Sequence, residues 1–274
     1  MTKLKRLKIP TSILSQSYEL TEEEKKEQQE YERYCKQYMD DKYKFKRYFK
    51  EDSDALPSAF IYENEYGYEV RQTTPYGVKK RILEEMKRNK ILDLQRTKEY
   101  SFDTFETNQE WQRKLKANAM EYADNFNGKS WFMVSGITGS GKSHICTSLV
   151  FRLASKGIWS RYISWVSFKK ELKADLDNSN HKIFVIKRSP VLYIDDFLKV
   201  GRENSEPSDY DLEVATEIIW YRYENNLPTI ISSEYDLSKI ARMNNAVAGR
   251  IKQMTKGNYN RLGDDPKRNY RERG

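Results

Sequence analysis

Only two cysteines, Cys35 and Cys146, occur in this 274-residue sequence, and it contains no long apolar run. Two scattered thiols are too few for a disulfide framework or a four-ligand zinc site, and they suit a reducing compartment. No stretch approaches the roughly 18 to 20 apolar residues of a membrane span. The N-terminal MTKLKRLKIP also lacks the apolar segment of a secretory signal. We therefore expect a soluble cytoplasmic protein without a membrane partner.

The composition is polar, with 38% hydrophobic and 33% charged residues. A compact core must therefore draw on a region where apolar residues are concentrated, and here that region follows residue 105. The formal net charge is +8, and residues 239–274 hold ten Lys or Arg against three Asp or Glu. Such an excess favours polyanions, although it is equally compatible with an ordinary solvated surface.

The stretch GITGSGKS, residues 136–143, fits the P-loop pattern G-x-x-x-x-G-K-[ST] between a predicted buried strand and a predicted helix. Glycines let the backbone turn with positive φ and bring its N–H groups against phosphate oxygens. Lys142 is predicted to reach the β and γ phosphates, and Ser143 to hold Mg²⁺. We predict ATP and Mg²⁺ as ligands, with these binding residues: Gly136, Ile137, Thr138, Gly139, Ser140, Gly141, Lys142, Ser143 and His144.

A second motif, VLYIDDF at residues 191–197, is an apolar strand that ends in two carboxylates. Asp195 is predicted to hold Mg²⁺ through water, and Asp196 to orient or deprotonate the attacking water. Two aspartates after a strand also occur in ordinary turns, but here they follow a P-loop with a strand and a helix in between. Ser232 and Ser233, at the end of a third strand, are predicted to join the same site, and Ser233 is taken as the catalytic one of the two.

The first 98 residues are predicted to form a small, mainly helical domain. An aromatic stripe predicts one helix from Thr21 to Lys50, which begins with a capping box. The stripe either packs within its own domain or forms a partner surface. A loop or a short hairpin around Tyr62 to Val70 and a helix over 78–94 follow. Residues 95–101 are predicted to link the two domains.

Residues 99–274 are predicted to form an α/β domain. Thr107 and Glu110 fit a capping box for a helix that leads into the P-loop strand. Strands over 161–166, 191–197 and 229–233 then alternate with helices, which predicts a parallel sheet flanked by helices, with ligands at the carboxyl ends of the strands.

The order of these motifs resembles the AAA+ P-loop NTPases of bacterial and phage helicase loaders, the DnaC/DnaI type, over about residues 100 to 274. GSGKSH is similar to that family's GxGKTH, YIDDF to its LIDD, and TIISSE to its TSN sensor strand. AVAGRIKQM resembles the segment that carries the arginine finger, and RNYR resembles the terminal tyrosine-arginine signature.

This resemblance implies that Arg250 reaches the γ-phosphate of a neighbouring subunit and that Arg271 contacts bound nucleotide, so that subunits associate through the ATP site. It also implies that the N-terminal domain binds a replicative DnaB-type helicase and that single-stranded DNA is a second ligand. Glu234 stands where the family usually has Asn. Either Ser233 substitutes for that Asn or hydrolysis is slow.

Residues for single-stranded DNA are harder to assign from the sequence. Aromatic faces beside basic residues suit unpaired bases, but aromatic residues in a strand are equally compatible with core packing, above all Trp165. The first candidates are Tyr162, Trp165 and Phe168 with Lys169 and Lys170, and the alternatives are Lys199 and Arg202. His181 is predicted to be a surface residue.

The leading hypothesis is thus an ATP-dependent loader of a replicative helicase, from a phage or mobile element. A transposition helper ATPase of the IstB type, acting on duplex DNA and a transposase, has the same predicted fold. A nucleotide-gated adaptor that hardly hydrolyses ATP is the third hypothesis.

Overall fold

The computed structural model describes residues 20–89, 97–200 and 206–269. The chain divides into two compact units. The first takes the chain up to Arg81 together with Ala154–Ile158, and the second takes Ile82–Leu153 and Trp159 onward. The predicted domain boundary after residue 98 stays a prediction.

The first described element of the N-terminal unit is helix α1, Glu22–Lys36. Thr21 caps this helix: its hydroxyl oxygen accepts a hydrogen bond from the Glu24 N–H, and the Glu24 carboxylate accepts one from the Thr21 N–H at 2.8 Å. Three antiparallel strands follow in the order β1-β2-β3, and helix α2 comes next, with Arg81 as its last residue in this unit. Their bounds are β1 Lys44–Phe49, β2 Ala59–Glu63, β3 Glu69–Thr73 and α2 Pro75–Arg88.

The prediction of one helix from Thr21 to Lys50 is wrong, because the chain leaves the helix after Lys36 and continues as strand β1. Tyr48 therefore lies on a strand, where its ring meets Tyr31 of α1 with 5.0 Å between centroids. The aromatic stripe thus packs within its own unit. The region remains mainly helical as predicted, with helices of 15 and 14 residues against strands of five or six.

Helix α3, Glu110–Asp124, does not begin with the predicted capping box. Gln109 takes the N-cap position and its N–H donates to the side chain of Gln112 at 2.6 Å, in place of the pair Thr107 and Glu110. The tyrosine hydroxyl of Tyr122, near the end of this helix, donates to the Ser130 carbonyl at 2.7 Å. This bond fixes the chain where it enters the P-loop strand.

The second unit alternates strands and helices, as predicted. Its elements in chain order are α3 Glu110–Asp124, β4 Phe132–Ser135, α4 Lys142–Ser155, β5 Arg161–Ser164, α5 Trp165–Ala174, α6 Ser179–Lys187, β6 Leu192–Asp195, α7 Asp209–Glu224, β7 Thr229–Ser233, α8 Leu237–Met243, α9 Asn245–Met254 and β8 Tyr259–Arg261.

The five strands form one parallel sheet in the order β5-β6-β7-β4-β8. Strands β4, β6 and β7 lie at its centre and are almost entirely buried, as their unbroken apolar runs predict. Trp131, Ile194 and Ile231 join helix residues such as Ile218 and Ile251 in the core. The P-loop strand β4 and the acidic strand β6 thus both neighbour β7.

This strand order brings the predicted motifs to one edge of the sheet. In parallel strands the carboxyl ends lie side by side. Ser135 at the end of β4 is in register with Ser233 of β7, and Ile231 of β7 with Ile194 of β6. Among the described residues, no helix combines the length and apolar composition that a bilayer span needs.

Candidate functional site

The P-loop connects β4 to α4 through a turn that requires glycine. Gly139 and Gly141 have φ of 76° and 84°, in the left-handed region that side chains disfavour. A Cβ at Gly141 would also lie 3.1 Å from the ring of Phe105. The helix that starts at Lys142 directs its positive end toward the loop, an arrangement suited to an anion.

Lys142 is buried within this loop, with 5% of its surface exposed. Its ammonium donates to the carbonyl oxygens of Gly136 at 2.8 Å and Ile137 at 2.7 Å. Burial lowers the pKa of Lys142, and the charges of Asp196 and Glu234 oppose that shift. The cation therefore lies inside the loop, within reach of a phosphate held by the same backbone.

The Asp195 carboxylate, at the end of β6, is surrounded by hydroxyl groups. Oδ1 accepts hydrogen bonds from Ser143 and Tyr193, both at 2.9 Å, and a further short one from Ser232. Oδ2 accepts one from Tyr162 at 3.2 Å. Hydroxyl and carboxylate oxygens are the ligand types that Mg²⁺ prefers, so the Ser143 and Asp195 pair fits such an ion.

Two of these donors are tyrosines of the sheet, Tyr162 of β5 and Tyr193 of β6, and the sequence did not place either at the site. Burial raises the pKa values of Tyr162 and Tyr193 well above the usual value, and the nearby Asp195 charge adds to both shifts. Both phenols therefore stay protonated donors. The alternation of side chains along β6 could have indicated Tyr193, which lies two residues before Asp195 on the same face.

Ser232, rather than Ser233, faces this site. Ser232 donates to Asp195 and its hydroxyl oxygen accepts the Asp196 N–H at 3.0 Å. Ser233 turns to the opposite side of the strand and donates to the Phe197 carbonyl at 2.8 Å. The prediction that placed Ser233 in the site is corrected accordingly, because neighbouring strand residues point to opposite faces.

Asp196 follows at a turn with a left-handed backbone, φ 55°. Burial raises the pKa of its carboxyl, the charge of Asp195 adds to that shift, and Lys199 opposes it. The Lys199 ammonium lies 3.2 Å from Asp196 and 2.8 Å from Glu234. Glu234 in turn accepts a short hydrogen bond from Thr138 of the P-loop.

These groups line one cavity of about 300 Å³. Its acidic and basic wall contains Lys142, Asp196, Lys199 and Glu234, and residues 99–106 supply another part of the lining. The predicted linker over residues 95–101 therefore includes two residues that line the cavity, Glu99 and Tyr100.

The aromatic part of this cavity surrounds His144, the residue after the P-loop motif. The Tyr100 ring stacks on the imidazole at 4.2 Å and 11°, and Phe105 meets it edge-on at 5.3 Å. A His144 ring nitrogen also lies 3.2 Å from the Thr104 hydroxyl. Flat apolar faces next to a phosphate-type loop suit a nucleotide base, and no motif in the sequence signalled them.

Of the two predicted arginines, the structure describes Arg250, and it does not line this cavity. The Arg250 guanidinium lies over the ring of Trp220 at 4.1 Å and donates to the Ala246 carbonyl at 3.0 Å. Trp220 itself is 49% exposed, so this pair lies at the surface. Arg271 and Arg202 lie outside the described residues.

The first set of predicted DNA contacts is wrong. Tyr162, Trp165 and Phe168 are at most 3% exposed, and Trp165 packs on Phe197 with 5.1 Å between ring centroids. Lys169 is also buried and pairs with Asp211 at 2.8 Å. Core packing, the alternative stated for Trp165, accounts for all three aromatic residues. His181 is exposed, as predicted.

The five-stranded parallel sheet, the P-loop at the end of β4 and the paired aspartates at the end of β6 together define a P-loop NTPase fold, with the parallel sheet flanked by helices that the sequence predicts. Two proteins of Bacillus subtilis (strain 168) have similar sequences. The uncharacterized protein YqaM is 33% identical over 120 residues, which are 43% of this chain and 38% of YqaM. The phage-like element PBSX protein XkdC is 30% identical over 127 residues, 46% of this chain and 48% of XkdC. The matched regions thus span less than half of either relative.

Similar solved structures include the DnaC helicase loader, at 24% identity and a TM-score of 0.49 over 61% of this chain and 98% of that one. The structure of DnaI is 21% identical in sequence with a TM-score of 0.48, and the match covers 61% of this chain and 89% of DnaI. The replication initiator DnaA bound to AMPPCP and single-stranded DNA is 20% identical with a TM-score of 0.48, and the match covers 59% of this chain and 49% of DnaA. No protein-family model matches the chain. The chain is thus similar to proteins named DnaC and DnaI, the type that its sequence resembles, and to a phage-like element protein.

Proposed function

We propose that the chain binds ATP with Mg²⁺ in the 300 Å³ cavity and hydrolyses it. The observation that carries this proposal is the convergence of the P-loop, Ser143, Asp195 and Asp196 at one sheet edge. Phosphates would lie against the P-loop amides, with Lys142 on the β and γ phosphates. The base would lie beside Tyr100 and Phe105.

The hydroxyl of Ser143 and the carboxylate of Asp195 would hold Mg²⁺, which neutralises charge on the phosphates during transfer. Tyr162, Tyr193 and Ser232 keep the Asp195 carboxylate in one orientation. Asp196 would orient the attacking water and accept its proton. Burial and the neighbouring Asp195 charge raise the pKa of the Asp196 carboxyl, and a higher pKa makes a carboxylate a stronger proton acceptor.

We further propose that this ATPase loads a replicative DnaB-type helicase onto single-stranded DNA during replication initiation. The motif order and the relatives named above support a loader of this kind. The N-terminal domain is proposed as the helicase-binding part, and Arg250 as a residue that completes the ATP site of a neighbouring subunit. The Arg250 guanidinium lies on the ring of Trp220 at the surface. A guanidinium held in this way can leave the ring and bind a phosphate.

Mixing two inactive variants tests the shared ATP site. Arg250→Ala subunits keep a complete P-loop, and Lys142→Ala subunits keep the arginine, so an equimolar mixture should regain turnover. With random neighbours about one site in four is complete, and we expect about a quarter of the wild-type rate. Steady-state phosphate release measures it. Arg242→Ala, on the adjacent helix α8, should be active by itself, and no recovery in the mixture would contradict a shared site.

Pull-down against purified replicative helicase tests the loader role. The full chain should retain the helicase, whereas a chain that lacks residues 1–98 should lose most of it. A circular dichroism spectrum and nucleotide binding by the shortened chain show whether it is folded. Equal retention by both chains would contradict the role of the N-terminal domain. In a parallel pull-down against a purified transposase, retention of the transposase and not of the helicase would favour the IstB-type helper.

A nucleotide-gated adaptor is the second candidate function. The observation in its favour is the carboxylate of Glu234, which lies between Thr138 and Lys199 where the family resemblance would place a polar amide. An adaptor would bind ATP with little turnover. The turnover of wild type compared with that of Asp196→Asn separates the two functions.

A further inference from the structure

The segment Asp196 to Lys199 has an unusual backbone. Asp196 and Leu198 have φ of 55° and 63°, a conformation that costs a side chain about 1 kcal/mol or more, and Leu198 is fully buried. Hydrogen bonds hold the turn in place: the Phe197 N–H donates to the Ser232 carbonyl at 2.8 Å, and the Lys199 N–H to the Asp196 carbonyl at 2.9 Å. The strained turn directs Lys199 into the cavity.

Lys199 is bound there by two carboxylates from different elements. Its ammonium lies 3.2 Å from Asp196 and 2.8 Å from Glu234, and its side chain is 30% exposed. Glu234 is also bonded to Thr138, so the pair lies beside the P-loop. Burial lowers the pKa of Lys199, but the two carboxylates outweigh that effect and the net shift is upward. Lys199 is thus a firmly charged cation.

The charges in the cavity do not suit a triphosphate as they stand. Asp196 and Glu234 line the cavity together with Lys142 and Lys199, and Asp195 lies just behind them. A phosphate chain that enters would be repelled by Glu234 and attracted by Lys199. A lysine side chain has four rotatable bonds, so its ammonium can change partners without movement of the backbone.

We propose that Lys199 is a second phosphate-binding lysine, which exchanges Glu234 and Asp196 for the terminal phosphate when a triphosphate occupies the cavity. The exchange removes the ion pair from Asp196 and leaves its carboxylate free to bind the attacking water. Lys199 then distinguishes a triphosphate from a diphosphate, because it binds the terminal phosphate that a diphosphate lacks. This inference rests on the proposed ATP site and adds a nucleotide-discriminating residue to it.

A purely structural ion pair is the competing explanation. If Lys199 and Glu234 only stabilise the fold, loss of either partner should weaken the site in the same direction. If Glu234 and the terminal phosphate compete for Lys199, the two substitutions should have opposite effects. Loss of the lysine removes a ligand of the phosphate, whereas neutralisation of Glu234 removes a competitor.

The experiment measures dissociation constants of the full chain for AMPPCP and for ADP, both with Mg²⁺, by calorimetry. Lys199→Gln should weaken AMPPCP binding about tenfold, as loss of one charge-assisted hydrogen bond does, and change ADP binding by less than about twofold. Glu234→Gln should tighten AMPPCP binding by about threefold and leave ADP nearly unchanged. Lys187→Gln is the matched control, because Lys187 pairs with Glu217 at 2.6 Å on other elements of the same unit and does not line this cavity.

Three results would overturn the proposal: weaker AMPPCP binding by both variants, equal shifts for AMPPCP and ADP, or a Lys199→Gln effect no larger than that of Lys187→Gln. A wild-type chain that binds neither nucleotide would refute the ATP site itself. A wild-type chain that binds both, with unchanged discrimination in Lys199→Gln, would refute only the role of Lys199. Thermal unfolding of each variant without nucleotide shows that the fold is retained.

Discussion

Replacement of Asp196 with asparagine is expected to slow ATP hydrolysis by about 100-fold or more, while MgATP binding stays within about threefold of wild type. The amide keeps the size of the carboxylate and can still bind water, but it cannot accept a proton. It also cannot attract Lys199 as strongly, so the loss of the ion pair should not weaken phosphate binding. Steady-state phosphate release and calorimetry measure the two quantities separately.

Asp175→Asn is the matched control for this variant. Asp175 is an aspartate of the same unit that pairs with Lys182 at 2.8 Å and does not line the cavity, so its substitution should leave turnover unchanged. A wild-type rate indistinguishable from that of Asp196→Asn would contradict an ATPase. With MgATP binding intact, the same result would favour the nucleotide-gated adaptor.

Replacement of Arg222 with methionine is expected to lower the free energy of unfolding by about 4 kcal/mol. The Arg222 guanidinium is fully buried and donates to four oxygens at 2.6–3.1 Å. Its acceptors are the Thr229 hydroxyl and the carbonyls of Lys187, Ser189 and Pro228. Methionine fills a similar volume but leaves these oxygens without a donor, at a cost of about 1–3 kcal/mol for each one that water cannot reach.

Urea unfolding followed by circular dichroism measures this loss. Arg152→Met is the control, because Arg152 pairs with Asp124 at 3.1 Å and is 49% exposed, so its loss should cost less than about 1 kcal/mol. Arg222 joins the end of α7 to the starts of β6 and β7, which carry the acidic and serine residues of the site. A loss no greater than that of the control would contradict this structural role.

The phosphate side of the site was predictable from the sequence, whereas the residues around it were not. A P-loop works through backbone geometry, so its glycines, Lys142 and Ser143 occur at fixed spacing and signal the loop directly. Asp195 was recognisable because it follows an apolar strand. Tyr100, Phe105 and Lys199 reach the cavity from loops whose paths depend on tertiary packing, and no local pattern fixes such paths.

Two errors show how local patterns mislead. The spacing from Tyr31 to Tyr48 is compatible with one long helix, yet Tyr48 lies on a strand that packs its ring against α1. Aromatic residues on a helix and on a strand that packs against it can therefore show the same sequence spacing as residues on one helix face. The choice between Ser232 and Ser233 depended on which face of β7 meets Asp195, and that register is set by the neighbouring strands.

The measurement that tests the central claim most directly is calorimetric titration of the Asp196→Asn chain with MgATP, since slow hydrolysis leaves the ligand intact. We predict a dissociation constant between about 1 and 100 μM, and binding at least about 100-fold weaker when Lys142→Ala is added. No binding at about 1 mM MgATP, or equal binding with and without Lys142, would contradict an ATP site in this cavity.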